Sequence, residues 1–123
     1  GDEIMKVEIR ILRKCGVNRR HTGYIYLRDA IRLVQRKQGR HVFITKEIYP
    51  MIAQKHGTTE FCVERNIRTA INRCWQNNPE YIREILGYRA EKCPGNAEFI
   101  NAVVYYMEEF DEEVPLLQEV SCC

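Results

Sequence analysis

A chain of 123 residues, 45% of them hydrophobic, is long enough for one domain with a core of its own, which needs neither metal nor disulfides to hold it. The net charge of +2 hides an asymmetry: residues 1–76 carry 16 Lys+Arg against 7 Asp+Glu, and residues 77–123 carry 3 against 10. A basic two-thirds followed by an acidic third fits either a polyanion-binding body with a differently employed end or an uneven solvated surface, and no signal peptide or long apolar span points to a membrane.

Residues 3–14 place Ile4, Val7 and Ile11 on one side and Lys6, Arg10, Arg13 and Lys14 elsewhere, which predicts a first helix stopped near Gly16. The loop from Gly16 to Gly23 is basic, with Arg19, Arg20 and His21. Thr22 is the expected cap of a second helix, apolar on Tyr24, Leu27, Ala30, Ile31 and Val34 and ended by Gly39. His41 to Ile44 is the best strand candidate, and it is short. Thr45 is the expected cap of a third helix, in which Pro50 must either open the helix proper or bend it.

The third helix runs into His56-Gly57-Thr58-Thr59, and a fourth follows from about Thr59 to Gln76. Gly57 suits the left-handed residue that ends a helix, and Thr58 or Thr59 suits the cap of the next. This is the outline of a helix-turn-helix. The fourth helix has an apolar stripe of Val63, Ile67, Ala70, Ile71 and Cys74. Phe61, Arg65, Arg68 and Asn72 project from the opposite side, with Glu64 on its flank. Arg and Asn read base edges bidentately, and a recognition helix enters the major groove by its N-terminal half. The plain alternative is a solvated face with an intrahelical Glu64–Arg68 pair. Thr45, Lys46, Thr58 and Thr59 stand near the N-termini of the two motif helices, where free N–H groups favour phosphate; simple capping is the competing role. Asn72 is also assigned to phosphate. Arg19, Arg20, His21, Lys37 and Arg40 are looser candidates, better read one by one as surface charge.

Asn78-Pro79 starts a short fifth helix that stops at Gly87. Pro94-Gly95 marks a turn, and Asn96 is the expected cap of a last helix through about Phe110, apolar on Phe99, Ile100, Val103, Val104 and Met107. Tyr105 and Tyr106 beside that stripe fit a dimer contact or one more core helix equally well. Trp75, Tyr24 and Tyr26 are read as core rather than as a base-stacking platform. The expected architecture is all-α: a six-helix domain over residues 1–110 with a helix-turn-helix in its third and fourth helices, then an acidic, disordered tail over 111–123.

The six cysteines include no Cys-x-x-Cys, and His21, His41 and His56 lack zinc-finger spacing, so no metal is expected and the thiols fit a reducing, cytoplasmic setting. No phosphate loop, nucleophile motif or His–acid pair points to an enzyme, a cofactor or a small-molecule substrate.

Several segments in fixed order resemble the C-terminal DNA-binding effector domain of the master sporulation response regulator family of endospore-forming Firmicutes. They are Gly23-Tyr24-x-Tyr26-Leu27-Arg28-x-Ala30-Ile31, Ile44-Thr45-Lys46, Tyr49-Pro50-x-Ile52-Ala53 and Thr58-Thr59. Val63-Glu64-Arg65-x-Ile67-Arg68-x-Ala70-Ile71, Trp75, Gly87-Tyr88 and Asn96-x-Glu98-Phe99-Ile100 continue the match. The resemblance implies a six-helix domain whose fourth helix reads a short G/C-containing box, often in tandem, through Glu64, Arg65 and Arg68. Family proteins also carry an N-terminal receiver domain that controls dimerisation, and none occurs within these residues. Phe61-Cys62 departs from the family's Ser-Arg, so the family's target sequence does not carry over. Phe61 becomes a candidate for a thymine methyl or for packing on a neighbouring helix.

The expected function is sequence-specific binding of double-stranded DNA by a bacterial transcription regulator. Glu64, Arg65, Arg68 and Phe61 would meet bases, and a homodimer would occupy tandem sites. The alternative is a receiver-less protein-interaction module that modulates a related regulator without itself binding operator DNA. The acidic segment beginning at Glu108 is expected either to weaken DNA binding or to act only as a solubilising end.

Overall fold

The computed structural model describes residues 6–37 and 42–122, with side chains as far as residue 109. Among the described residues there are six α-helices: α1 Val7–Lys14, α2 Thr22–Arg36, α3 Tyr49–His56, α4 Glu60–Asn77, α5 Pro79–Leu86 and α6 Asn96–Cys122. No strand occurs among the described residues. The expected start of the first helix at residues 3–5, the expected end of the second at Gly39, and Arg40 and His41 lie outside them; of the strand candidate, Val42 and Phe43 form no strand and Ile44 already opens a helical turn.

The apolar stripes read from the sequence meet in one core. Leu12, Leu27, Ile31, Ile48, Ile52, Ile67, Ile71, Ile82, Phe99 and Ile100 are all within 2% of complete burial. At about 1.5–3 kcal/mol for each large apolar side chain removed from water, this core dominates the stability of the domain. Helix α2 sits at its centre, packed against α1, α3, α4 and α6. Gly23 makes the α2–α4 crossing close: a Cβ there would lie 2.2 Å from the Asn66 backbone oxygen.

Pro50 is accommodated by a wide opening turn, Ile44–Ile48, which leads directly into α3 and leaves Pro50 in the first turn of the α-helix proper. There its missing N–H costs no intrahelical bond. The N-cap of this unit is Phe43, not Thr45, because the Glu47 carboxylate reaches back and accepts from the Phe43 N–H at 3.0 Å. Likewise His21 occupies the N-cap position of α2, and Thr22 is its first helical residue. Asn96 is the first residue of α6, and its side chain is engaged elsewhere, as described below. At the other end of the domain, Asn77 and Asn78 donate to the carbonyls of Cys15 and Lys14 and so close α1. Asn78 also accepts from the Tyr81 N–H as the cap of α5, as expected.

Helix α6 buries Phe99, Ile100, Val103, Val104 and Met107. Its backbone continues past Phe110, where an end was expected, through the acidic residues to Cys122. Glu and Leu are good helix formers, and this segment is rich in both despite Pro115.

Candidate nucleic-acid interface

The turn between α3 and α4 is built by local chemistry. Gly57 adopts φ 64 and ψ 40, a left-handed conformation costly for a residue with a Cβ. The Thr58 N–H donates to the Ala53 carbonyl at 3.0 Å, which closes the end of α3. Thr59 then caps α4, its Oγ1 accepting from the Cys62 N–H at 3.0 Å.

One sector of α4 is wholly in the core: Val63, Ile67, Ala70, Ile71 and Cys74 are at most 2% exposed. The opposite sector faces solvent. Arg65, Arg68 and Asn72 are exposed on it, and Phe61 is 69% exposed, so Phe61 does not pack on a neighbouring helix. Thr69 and Arg73 are exposed there too. They escaped the sequence reading, although position 69, one helical turn beyond Arg65, falls in the same sector. The Thr69 hydroxyl donates to the Arg65 carbonyl at 3.1 Å.

Glu64 lies on the flank, half-buried, and receives a hydrogen bond from the Arg68 guanidinium. The intrahelical pair is thus formed. An exposed pair at this spacing contributes only about 0.3–0.5 kcal/mol, so it yields readily to a stronger partner. Arg65 lies with its guanidinium carbon 6.0 Å from the centre of the Phe61 ring.

Of the four residues near the helix N-termini, Thr45, Lys46 and Thr59 are exposed and Thr58 is half-buried. Thr45, freed of capping, presents its hydroxyl on the opening turn. The Lys46 ammonium stands 6.0 Å from the centre of the Phe43 ring. Thr59 keeps its hydroxyl hydrogen, because its oxygen serves as the acceptor.

Two side chains outside the motif brace it. The Asn96 amide donates to both the Tyr49 hydroxyl and the Glu64 carbonyl, each at 3.0 Å, and joins α6 to α3 and α4. Asp29 on α2 is 4% exposed and is met by Arg28 and Lys55, each at 3.2 Å, and by His56 Nε2 at 2.8 Å. Burial alone would raise the pKa of this carboxyl, but the bonds from His56, Lys55 and Arg28 outweigh it and hold the carboxyl below its usual range. Lys55 and His56 lie 26 and 27 positions away on α3, so no local pattern announces them.

Among the described residues no helix is long and apolar enough to cross a membrane. The model of the family described as sporulation initiation factor Spo0A C terminal matches residues 9–107, most of the chain and the whole of this helix-turn-helix. The chain belongs to that family of DNA-binding effector domains.

Proposed function

We propose that this domain binds double-stranded DNA sequence-specifically, as the effector part of a bacterial transcription regulator acting in the cytoplasm, with α4 in the major groove. One observation carries the reading: the face of α4 opposite its core stripe leaves Phe61, Arg65, Arg68 and Asn72 in solvent, directly after a capped turn. Arg65 and Arg68 supply bidentate donors for guanine O6 and N7, and Glu64 accepts from a cytosine amine. Phe61 offers an apolar surface to a thymine methyl. Lys46, Thr45, Thr58, Thr59 and Asn72 meet phosphates, and the free N–H groups of the first turn of α4 add a positive end. Two copies occupy tandem sites as a homodimer.

The test is selection of bound duplexes from a random pool, followed by titration of the enriched duplex against one of mixed sequence. Preference for the enriched duplex supports the reading. Phe61, the most exposed of the large apolar side chains among the described residues, equally suits a protein contact. Absence of duplex binding at low salt, with a related regulator retained on the immobilised chain, would favour the interaction module.

A further inference from the structure

We propose that Asp29 is a positioning residue for DNA reading: its buried carboxylate fixes how the helix-turn-helix presents α4. The inference rests on the assignment of α4 as the DNA-reading helix.

Asp29 lies on α2, outside the motif. Both of its oxygens are occupied: Arg28 donates to Oδ1 at 3.2 Å, while Lys55 and His56 donate to Oδ2 at 3.2 and 2.8 Å. Lys55 and His56 are the last two residues of α3, and the Gly57 turn follows at once. The His56 ring also meets the Tyr26 ring edge-on, with centroids 5.2 Å apart. The end of α3 is therefore tied to α2 at the point where the chain turns into α4. Helix α2 also touches α4 directly, with Gly23 against the Asn66 carbonyl. One helix thus serves as the reference for both helices of the motif, through close backbone packing on one side and a charge cluster on the other.

Stability alone does not call for a carboxylate here. Buried ion clusters contribute little more than well-packed apolar groups of the same volume, because desolvation offsets their attraction. Hydrogen bonds to an ionised group are directional, however, and base reading tolerates only small errors in the placement of its side chains. Asparagine cannot replace the carboxylate. Donors approach both oxygens, so whichever way the amide turned, its NH2 would face a donor.

The experiment uses the whole chain as wild type, Asp29→Asn, His56→Ala and His56→Gln, each checked for folding by circular dichroism. Affinity is measured at one salt concentration for the most enriched duplex from a random pool and for a mixed-sequence duplex. In Asp29→Asn and His56→Ala the ratio of the two affinities is expected to fall about tenfold, the effect of one misplaced base contact. Mixed-sequence binding and its salt slope should stay as in wild type. His56→Gln keeps a donor at similar reach and should recover most of the ratio. An unchanged ratio in folded Asp29→Asn and His56→Ala overturns the inference. So does an equal loss on both duplexes, which marks mere loss of folded protein. A wild-type chain without any preference overturns the DNA-reading assignment itself, and this inference with it.

Discussion

The Arg65 guanidinium carbon lies 6.0 Å from the centre of the Phe61 ring on the solvent face of α4. Contacts of this kind at exposed sites contribute roughly 0.5–1 kcal/mol, enough to bias the rotamer of Arg65 without removing its donors. Arg65→Ala is expected to cost about 1–3 kcal/mol on a selected duplex and to relax the preference at one base position. Phe61→Ala should cost less and act chiefly on a thymine position. Equal binding of all base substitutions by wild type and Arg65→Ala would remove Arg65 from the reading face.

Lys46 acts differently. A phosphate contact carries no sequence information. Lys46→Ala should weaken every duplex to a similar degree and make the salt slope shallower by about 1. Affinities at several salt concentrations on two unrelated duplexes would expose the opposite result, a loss confined to one sequence.

Gly23 sets the α2–α4 distance. Alanine has the better helix propensity by about 1 kcal/mol. Its Cβ would nevertheless lie 2.2 Å from the Asn66 oxygen and 3.0 Å from the Ala70 Cβ. Both are held in α4 and cannot step aside. Overpacking of this kind costs about 1–3 kcal/mol or more, so Gly23→Ala should lower the urea midpoint. A midpoint at or above wild type would show that the crossing is looser than described.

Acid stability should report on Asp29. Its pKa in the fold is lowered from 3.8. A carboxyl with a lower pKa in the fold than in the unfolded chain contributes stability above the unfolded value, and that contribution is lost as the pH falls through the folded one. Below 3.8, therefore, the gap in urea midpoint between wild type and Asp29→Asn should narrow. A gap that stays constant down to full acid unfolding would mean that Asp29 titrates alike in both states.

The acidic end offers a separate prediction. Glu108, Glu109, Asp111, Glu112 and Glu113 follow a body rich in Lys and Arg. Deleting residues 111–123 is expected to tighten duplex binding, most at low salt, where the Debye length is longest. Unchanged affinity between 50 and 200 mM salt, a range over which phosphate contacts respond strongly, would leave the segment a solubilising end.

Much of this domain was legible because its signals are local. The left-handed Gly57, the Thr59 cap and the Asn78-Pro79 start depend on residues one to three positions away, and the apolar stripes depend only on helical spacing. The exposed sector of α4 followed from the same spacing. The caps expected at Thr22, Thr45 and Asn96 each put the right residue type at a helix start, but the first helical turn begins one or two residues earlier than expected at Thr22 and Thr45, and other contacts engage Asn96. Glu47 already satisfied the Phe43 N–H, and Tyr49 and Glu64 drew the Asn96 amide away. The Asp29 cluster and the Gly23 approach were invisible for the same reason, since each joins residues that only the tertiary fold brings together.

Sequence-specific reading by α4 is tested most directly by selecting duplexes from a random pool with wild type and with Arg65→Ala in parallel. The account predicts that wild type enriches a short consensus and that Arg65→Ala loses the preference at one position while still retaining DNA. A wild-type pool that shows no enrichment at low salt, or an identical consensus from both proteins, would contradict it.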